Sequence, residues 1–192
     1  VCMMLVKMEN DGLVVWPTHR IVRDLDNFNI DDVLNNEEIL RNFDIVEVAT
    51  LEQAREMLED KYNKEYKSYV LYTGSNYYLL TLRDKSVMKA LFPDASDAYC
   101  ELDVSILHSL ILERAFGIDK ENMANQINLT YTRSEDEAIA EVREGRANCS
   151  FLLNPTRVSE ISDVAAAGEK MPQKSTYFYP KLITGLVMNK FL

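Results

Sequence analysis

At 192 residues, 47% of them apolar and 27% charged, the chain is long enough to bury a substantial core and has an ordinary globular composition. Lysine and arginine number 21 against 31 acidic residues, a net charge of −10; such a surface repels a phosphate backbone on average and argues against broad nucleic-acid binding. No apolar run approaches bilayer-spanning length, so no membrane partner is expected.

Cys2-Met3-Met4-Leu5-Val6-Lys7-Met8 reads as a buried strand already under way, without the basic lead of a secretory signal. A chain that opens inside a strand, on Val1 rather than Met, is expected to be a fragment of a longer protein. Asp11-Gly12 marks a turn, and Leu13-Val14-Val15-Trp16-Pro17 a second strand pairing with the first as a hairpin. Pro17 ends regular pairing or sits on an edge, and Thr18-His19-Arg20 places polar groups at a strand end. Residues 29–42 read as an irregular helix capped by Asn29.

Residues 43–48 alternate as a half-buried strand does, and Thr50 and Gln53 form a capping box that opens a helix running to about Asn63. Residues 68–72 and 77–82 flank Thr73-Gly74-Ser75-Asn76 as a hairpin. Asp84 caps a short helix that Pro93 stops, and residues 102–116 predict a strong helix capped by Asp103 and closed by Gly117. Beyond it the order is strand (127–131), helix (from the Ser134–Glu137 box to Gly145), strand (147–153), helix (158–168) and a last strand (182–188). Strands joined through helices imply parallel pairs, and the hairpins imply antiparallel ones. The expectation is a single α/β domain over residues 1–192, a mixed parallel/antiparallel sheet with helices packed on it.

Cys2, Cys100 and Cys149 have no paired spacing, which argues against a disulfide framework or a cysteine-based zinc site and fits a reducing cytoplasm. With only two histidines no metal cluster is legible, and no cofactor is named by any motif. Chemistry concentrates instead in Met171-Pro172-Gln173-Lys174-Ser175-Thr176-Tyr177-Phe178-Tyr179-Pro180-Lys181. From Lys170 onward there are four lysines and no acid. Gly168 to Ser175 nearly spells a phosphate loop, but Gln173 replaces its second glycine, Pro172 removes a donor, and a helix precedes where a strand should. The P-loop reading is rejected.

Read as an extended segment, the stretch puts Ser175, Tyr177, Tyr179 and Lys181 on one face and Lys174, Thr176 and Phe178 on the other. A face of phenols, hydroxyl and ammonium suits an anionic, planar or phosphorylated ligand; the same residues also suit core cover and solvated charge. His19 and Arg20 are a second candidate for anion binding, or a capped strand end with Arg20 paired to an acid. His108 lies inside the Leu-rich helix and reads as a core or flank residue.

The blocks Leu13-Val14-Val15-Trp16-Pro17-Thr18-His19-Arg20, Leu102-Asp103-Val104-Ser105-Ile106-Leu107-His108, Phe151-Leu152-Leu153-Asn154-Pro155-Thr156 and Met171 through Val187 together resemble the prokaryotic family catalogued as domain of unknown function 1015, in the family's order and over nearly the whole chain. The resemblance implies a preceding half, absent here, with an Ala-Asp-Gly-His-His-Arg-like motif similar to the ParB/sulfiredoxin superfamily, whose relatives include nucleotide-binding proteins and a free-serine kinase. The present chain is then the C-terminal part. Thr18, His19, Arg20, Asn154, Lys174, Ser175, Thr176, Tyr179 and Lys181 fall in the signature blocks. Two functions follow as expectations. In one, the chain supplies an anion-binding wall to a nucleotide or phosphoryl-transfer site completed by the other half. In the other, it is a non-catalytic interaction module that packs on that half or on a second subunit.

Overall fold

The computed structural model describes residues 7, 10 and 12–181. The strands expected at 2–8 and 182–188 lie outside them. Two sheets are present among the described residues: a two-stranded ribbon of β1 (Val14–Val15) and β8 (Phe178–Tyr179), and a six-stranded sheet. The six strands are β2 (His19–Val22), β3 (Phe43–Val48), β4 (Ser68–Tyr72), β5 (Tyr77–Leu82), β6 (Leu129–Thr132) and β7 (Cys149–Leu152), in the order β3-β5-β4-β7-β2-β6.

Every ladder in the described residues is antiparallel. The helix-linked strands β6 and β7 do run in the same direction, as their crossover demands. They are not neighbours, however, because β2 lies between them and pairs antiparallel with both. The α/β class and the packing of helices on a sheet hold; the expected parallel ladder is replaced by this insertion.

Both faces of the sheet are covered, so β4 is buried along its whole length rather than alternating. Tyr69, Leu71, Leu80 and Phe151 pack on one face, and Val70, Tyr72, Leu79 and Leu152 on the other. The second face is closed by α3 (Leu51–Asn63), through Ala54 and Leu58, and by α8 (Glu135–Arg143), through Ala138, Ile139 and Val142. Of each capping box read from sequence the first half forms: Thr50 Oγ1 accepts from the Gln53 N–H at 3.2 Å and Ser134 Oγ from that of Glu137 at 3.2 Å, while the Glu137 carboxylate accepts from the Thr132 hydroxyl instead of reaching back to the cap. On the first face lie α1 (Ile30–Leu34) and α2 (Glu37–Asn42). They divide the expected 29–42 helix because Asn36 starts a new cap, accepting from the Glu38 N–H at 2.9 Å.

The same face carries α4 (Ser86–Leu91), α5 (Asp97–Cys100), α6 (Asp103–Ile106) and α7 (Lys120–Asn125). A ninth described helix, α9 (Val158–Ala166), follows β7. The helix expected over 102–116 is not regular. After one turn, α6 widens into a π-helical segment, Leu107–Glu113, and the Phe116 N–H still reaches five residues back to the Ile111 carbonyl at 3.0 Å. Asp103 does not cap it: Leu102 holds the cap position, and the Asp103 carboxylate lies 3.8 Å from Lys67 Nζ.

Candidate functional site

β2 presents His19 and Arg20 in succession, and period-two alternation sends them to opposite faces. On the α3/α8 side, His19 Nδ1 accepts the Leu153 N–H at 3.2 Å, and burial, then Arg20, hold its pKa down at about 4. It is a neutral ring joining β2 to the end of β7.

Arg20 faces the π-helical segment and is fully buried. Nη1 donates to the Thr18 carbonyl, and Nη2 lies 3.3 Å from both the Lys174 carbonyl and His108 Nε2. Its Cζ sits 5.2 Å from the centre of the Tyr131 ring, the residue registered opposite it on β6. Nε has no hydrogen-bond partner. Burial lowers the guanidinium pKa to about 10, against the opposing pull of Tyr131 and Tyr69. Arg20 thus ties the 171–181 stretch to the sheet through a backbone carbonyl.

That stretch does not run as an alternating strand. Ser175 N–H turns back to the Pro172 carbonyl at 3.3 Å, and Lys174 takes φ +56, a left-handed conformation uncommon for a lysine. The turn breaks the predicted two-face pattern. Ser175 is buried, its hydroxyl donates to the Pro172 carbonyl at 2.6 Å, and its own carbonyl accepts from Thr156 Oγ1 at 2.8 Å. Lys174 and Thr176, assigned by alternation to the face opposite Tyr177, line one cleft with it.

This cleft, about 380 Å³, is also lined by Thr18, Tyr131 and Arg133. The Arg133 guanidinium lies 4.1 Å and Lys181 Nζ 4.3 Å from the centre of the Tyr177 ring. Glu137 stands at the same cleft, engaged by the Thr132 hydroxyl. Among the described residues none of Arg133, Lys174 and Lys181 has a carboxylate within 4 Å. Tyr131 also lines a neighbouring cleft of about 290 Å³ with His108.

Of the residues singled out from sequence, Thr18, Lys174 and Thr176 meet at the cleft and Lys181 borders it through Tyr177. Tyr179 lies on the exposed ribbon, stacked on Trp16 with ring centres 4.8 Å apart. Asn154 donates to the Leu58 carbonyl at 3.1 Å and braces α3. Sequence reasoning does not single out Arg133, which precedes the Ser134 cap, or Tyr131, which sits inside a predicted strand. The strand period, extended one residue past Tyr131, would have flagged neither. Among the described residues no group of three or more His, Cys, Asp or Glu is placed to hold a metal. Cys149 is buried, and burial pushes its thiol pKa far above the ordinary value.

The architecture is that of an α/β protein with a doubly covered antiparallel sheet and a cationic–aromatic cleft at one of its edges. The chain belongs to the family described as "Protein of unknown function (DUF1015)", whose model matches residues 1–105. The match takes in Thr18-His19-Arg20 and ends inside α6; the blocks at 151–156 and 171–187 lie beyond it. No curated protein matches the chain. Among solved structures, it is similar to a free serine kinase in complex with AMP, at 11% identity and a TM-score of 0.51 over 91% of this chain and 57% of that one. It is also similar to a conserved hypothetical protein from Pyrococcus furiosus, at 13% identity and a TM-score of 0.49 over 91% of this chain and 60% of that one. At 11% identity the likeness to the free serine kinase is one of fold. The chain spans less than two thirds of the length of either structure.

Proposed function

We propose that this chain provides the anion-binding wall of a site for a nucleotide or another phosphorylated small molecule, with the phosphate in the cleft of Thr18, Arg133, Lys174, Thr176 and Tyr177. The observation that carries this reading is the gathering of Arg133, Lys174 and Lys181, without carboxylate partners among the described residues, around Tyr177 in a protein of net charge −10. Lysine and arginine beside two hydroxyls are what a phosphate needs, and the rings of Tyr131 and Tyr177 offer a planar group a stacking surface. AMP in the free serine kinase agrees with a nucleotide partner at the coarse level. In this reading the chain is one α/β unit, and any phosphoryl transfer draws its reacting groups from a preceding half of a longer protein.

Isothermal titration calorimetry with AMP, ADP and inorganic phosphate tests it. Binding is expected to weaken about tenfold in each of Arg133→Ala and Lys174→Ala, the loss of one charge-assisted contact, and to fall with added salt. Unchanged affinity in both variants refutes the reading.

One feature favours an interaction module instead. Val14, Trp16 and Tyr179 are 44%, 41% and 46% exposed on the β1–β8 ribbon, and aromatic anchors of this kind are common in interfaces. Sedimentation of the chain and of Trp16→Ala decides this: an oligomer that the substitution dissociates supports the module, and a monomer at all concentrations removes a second copy of the chain as its partner.

A further inference from the structure

Arg20 bears its charge at 0% exposure, and the groups that favour that charge are the phenols of Tyr131 and Tyr69 rather than any carboxylate. A buried cation without an anion is costly. Its one side-chain hydrogen bond shows where the charge is directed. Arginine only donates, so His108 Nε2 is the acceptor of the 3.3 Å contact; the ring is therefore neutral and its proton is on Nδ1. That leaves Nδ1–H as the donor His108 can offer to the 290 Å³ cleft it lines. Such a ring is polarised by the guanidinium behind it.

A second, independent observation lies one turn earlier. Ser105 is 2% exposed, its Oγ has no hydrogen-bond partner, and it lines the same cleft. Buried hydroxyls are almost always bonded, so an orphan on a cavity wall calls for an occupant. Ser109 lines the cleft next to His108, and the widened π-helical turns carry both inward. Phe92, Met123 and Tyr131 add apolar and aromatic surface to the wall, which Glu113, Lys120 and Gln173 complete with polar groups.

We propose that this cleft is a binding site for a small organic monocarboxylate, its oxygens on Ser105 Oγ, Ser109 Oγ and His108 Nδ1–H and its apolar body against Phe92, Met123 and Tyr131. The charge balance selects a monoanion. Only one cation, acting through a neutral ring, backs the cleft, and at its walls Lys120 is offset by Glu113. A phosphate dianion is better served across Tyr131, where Arg133 and Lys174 face the other cleft. The apolar part of the wall, Phe92, Met123 and Tyr131, favours a ligand with a hydrocarbon or aromatic body over the bare ion.

Calorimetric titration of the full chain with benzoate tests this, with benzamide as its uncharged counterpart. Benzoate is expected to bind, with benzamide about tenfold weaker or worse, since the amide forfeits a charge-assisted contact. Ser105→Ala removes only a hydroxyl that has no partner in the protein, so it is expected to keep the melting temperature while weakening benzoate about tenfold. No heat with benzoate, equal affinity for benzamide, or wild-type affinity in Ser105→Ala overturns the proposal. The readout is benzoate rather than phosphate, so its failure and that of the phosphate cleft are separate results.

Discussion

Replacing Asp103 by Asn should stabilise the protein at neutral pH, although it removes one member of a buried ion cluster. Lys67 Nζ is 2.7 Å from Glu160 Oε1 and 3.8 Å from Asp103 Oδ1, with the three side chains only 10%, 20% and 12% exposed. Burial works against the Lys67 charge, but Asp103 and Glu160 outweigh it and hold the ammonium pKa above its ordinary value. For Asp103 the balance is reversed: burial lifts its pKa from 3.8 to about 6 against the pull of Lys67. Asp103 Oδ1 has no hydrogen-bond donor. Because the folded value lies above the unfolded one, this carboxyl contributes stability that is complete below the unfolded pKa and is lost as pH rises through about 6. At about 1.4 kcal/mol per pH unit, the loss reaches ~3 kcal/mol by neutrality. Asn stands in for the uncharged carboxyl and escapes that loss, and the attraction to Lys67 is already contained in the folded pKa, so a gain of ~3 kcal/mol is expected at about pH 8. Urea unfolding of both proteins at a series of pH values measures it, and the gap should close toward about pH 4. A variant less stable than wild type at about pH 8, or a gap that does not change with pH, refutes the reasoning.

His108 should behave with the opposite sign. Burial and then Arg20 lower its pKa to about 3, so the neutral ring's contribution is present above about 6.5 and is lost as pH falls toward 3. In urea unfolding, wild type should lose ~2 kcal/mol relative to His108→Gln between about pH 8 and pH 5, and parallel profiles would argue against a buried neutral ring. Lys67→Met strands two carboxylates and should cost ~3–5 kcal/mol at about pH 7 in the same assay, part of which acid restores by protonating Asp103. Phe151→Ala, registered opposite Arg20 on β7 and in edge contact with Phe116 at 5.7 Å, should cost ~3–5 kcal/mol, read as a lower urea midpoint at unchanged slope.

Local features were the legible ones. The Thr50 and Ser134 caps, the 68–82 hairpin and the strand at 43–48 each depend on residues close in sequence, and each formed where the pattern put it. What could not be read is what distant segments decide. The ladder partners of β2 are more than a hundred residues away, so its insertion between β6 and β7 left no local mark. The π-helical turns at 107–113 lie in a stretch whose apolar spacing suits an ordinary helix, and they arise where that stretch packs on the sheet. Lys174 and Thr176 were found from their density of polar groups, yet their partners in the cleft were misassigned because a left-handed lysine reset the alternation. Arg133 comes from another element altogether, and only the folded chain brings it to Tyr177.

The position of β2 also governs the order in which this protein can be assembled. β3, β4 and β5 lie within 40 residues of one another and can pair as soon as residue 82 is made. β2 is translated before all three, yet both edges it must bond, on β6 and β7, are completed only at residues 132 and 152. A nascent chain therefore carries β2 without its ladder partners from residue 22 until residue 132 is made, the situation in which a slow, non-local closing step leaves a chain open to misassociation. Arg20, in the middle of that strand, keeps a charge there until His108, Tyr131 and the 171–175 turn arrive to enclose it.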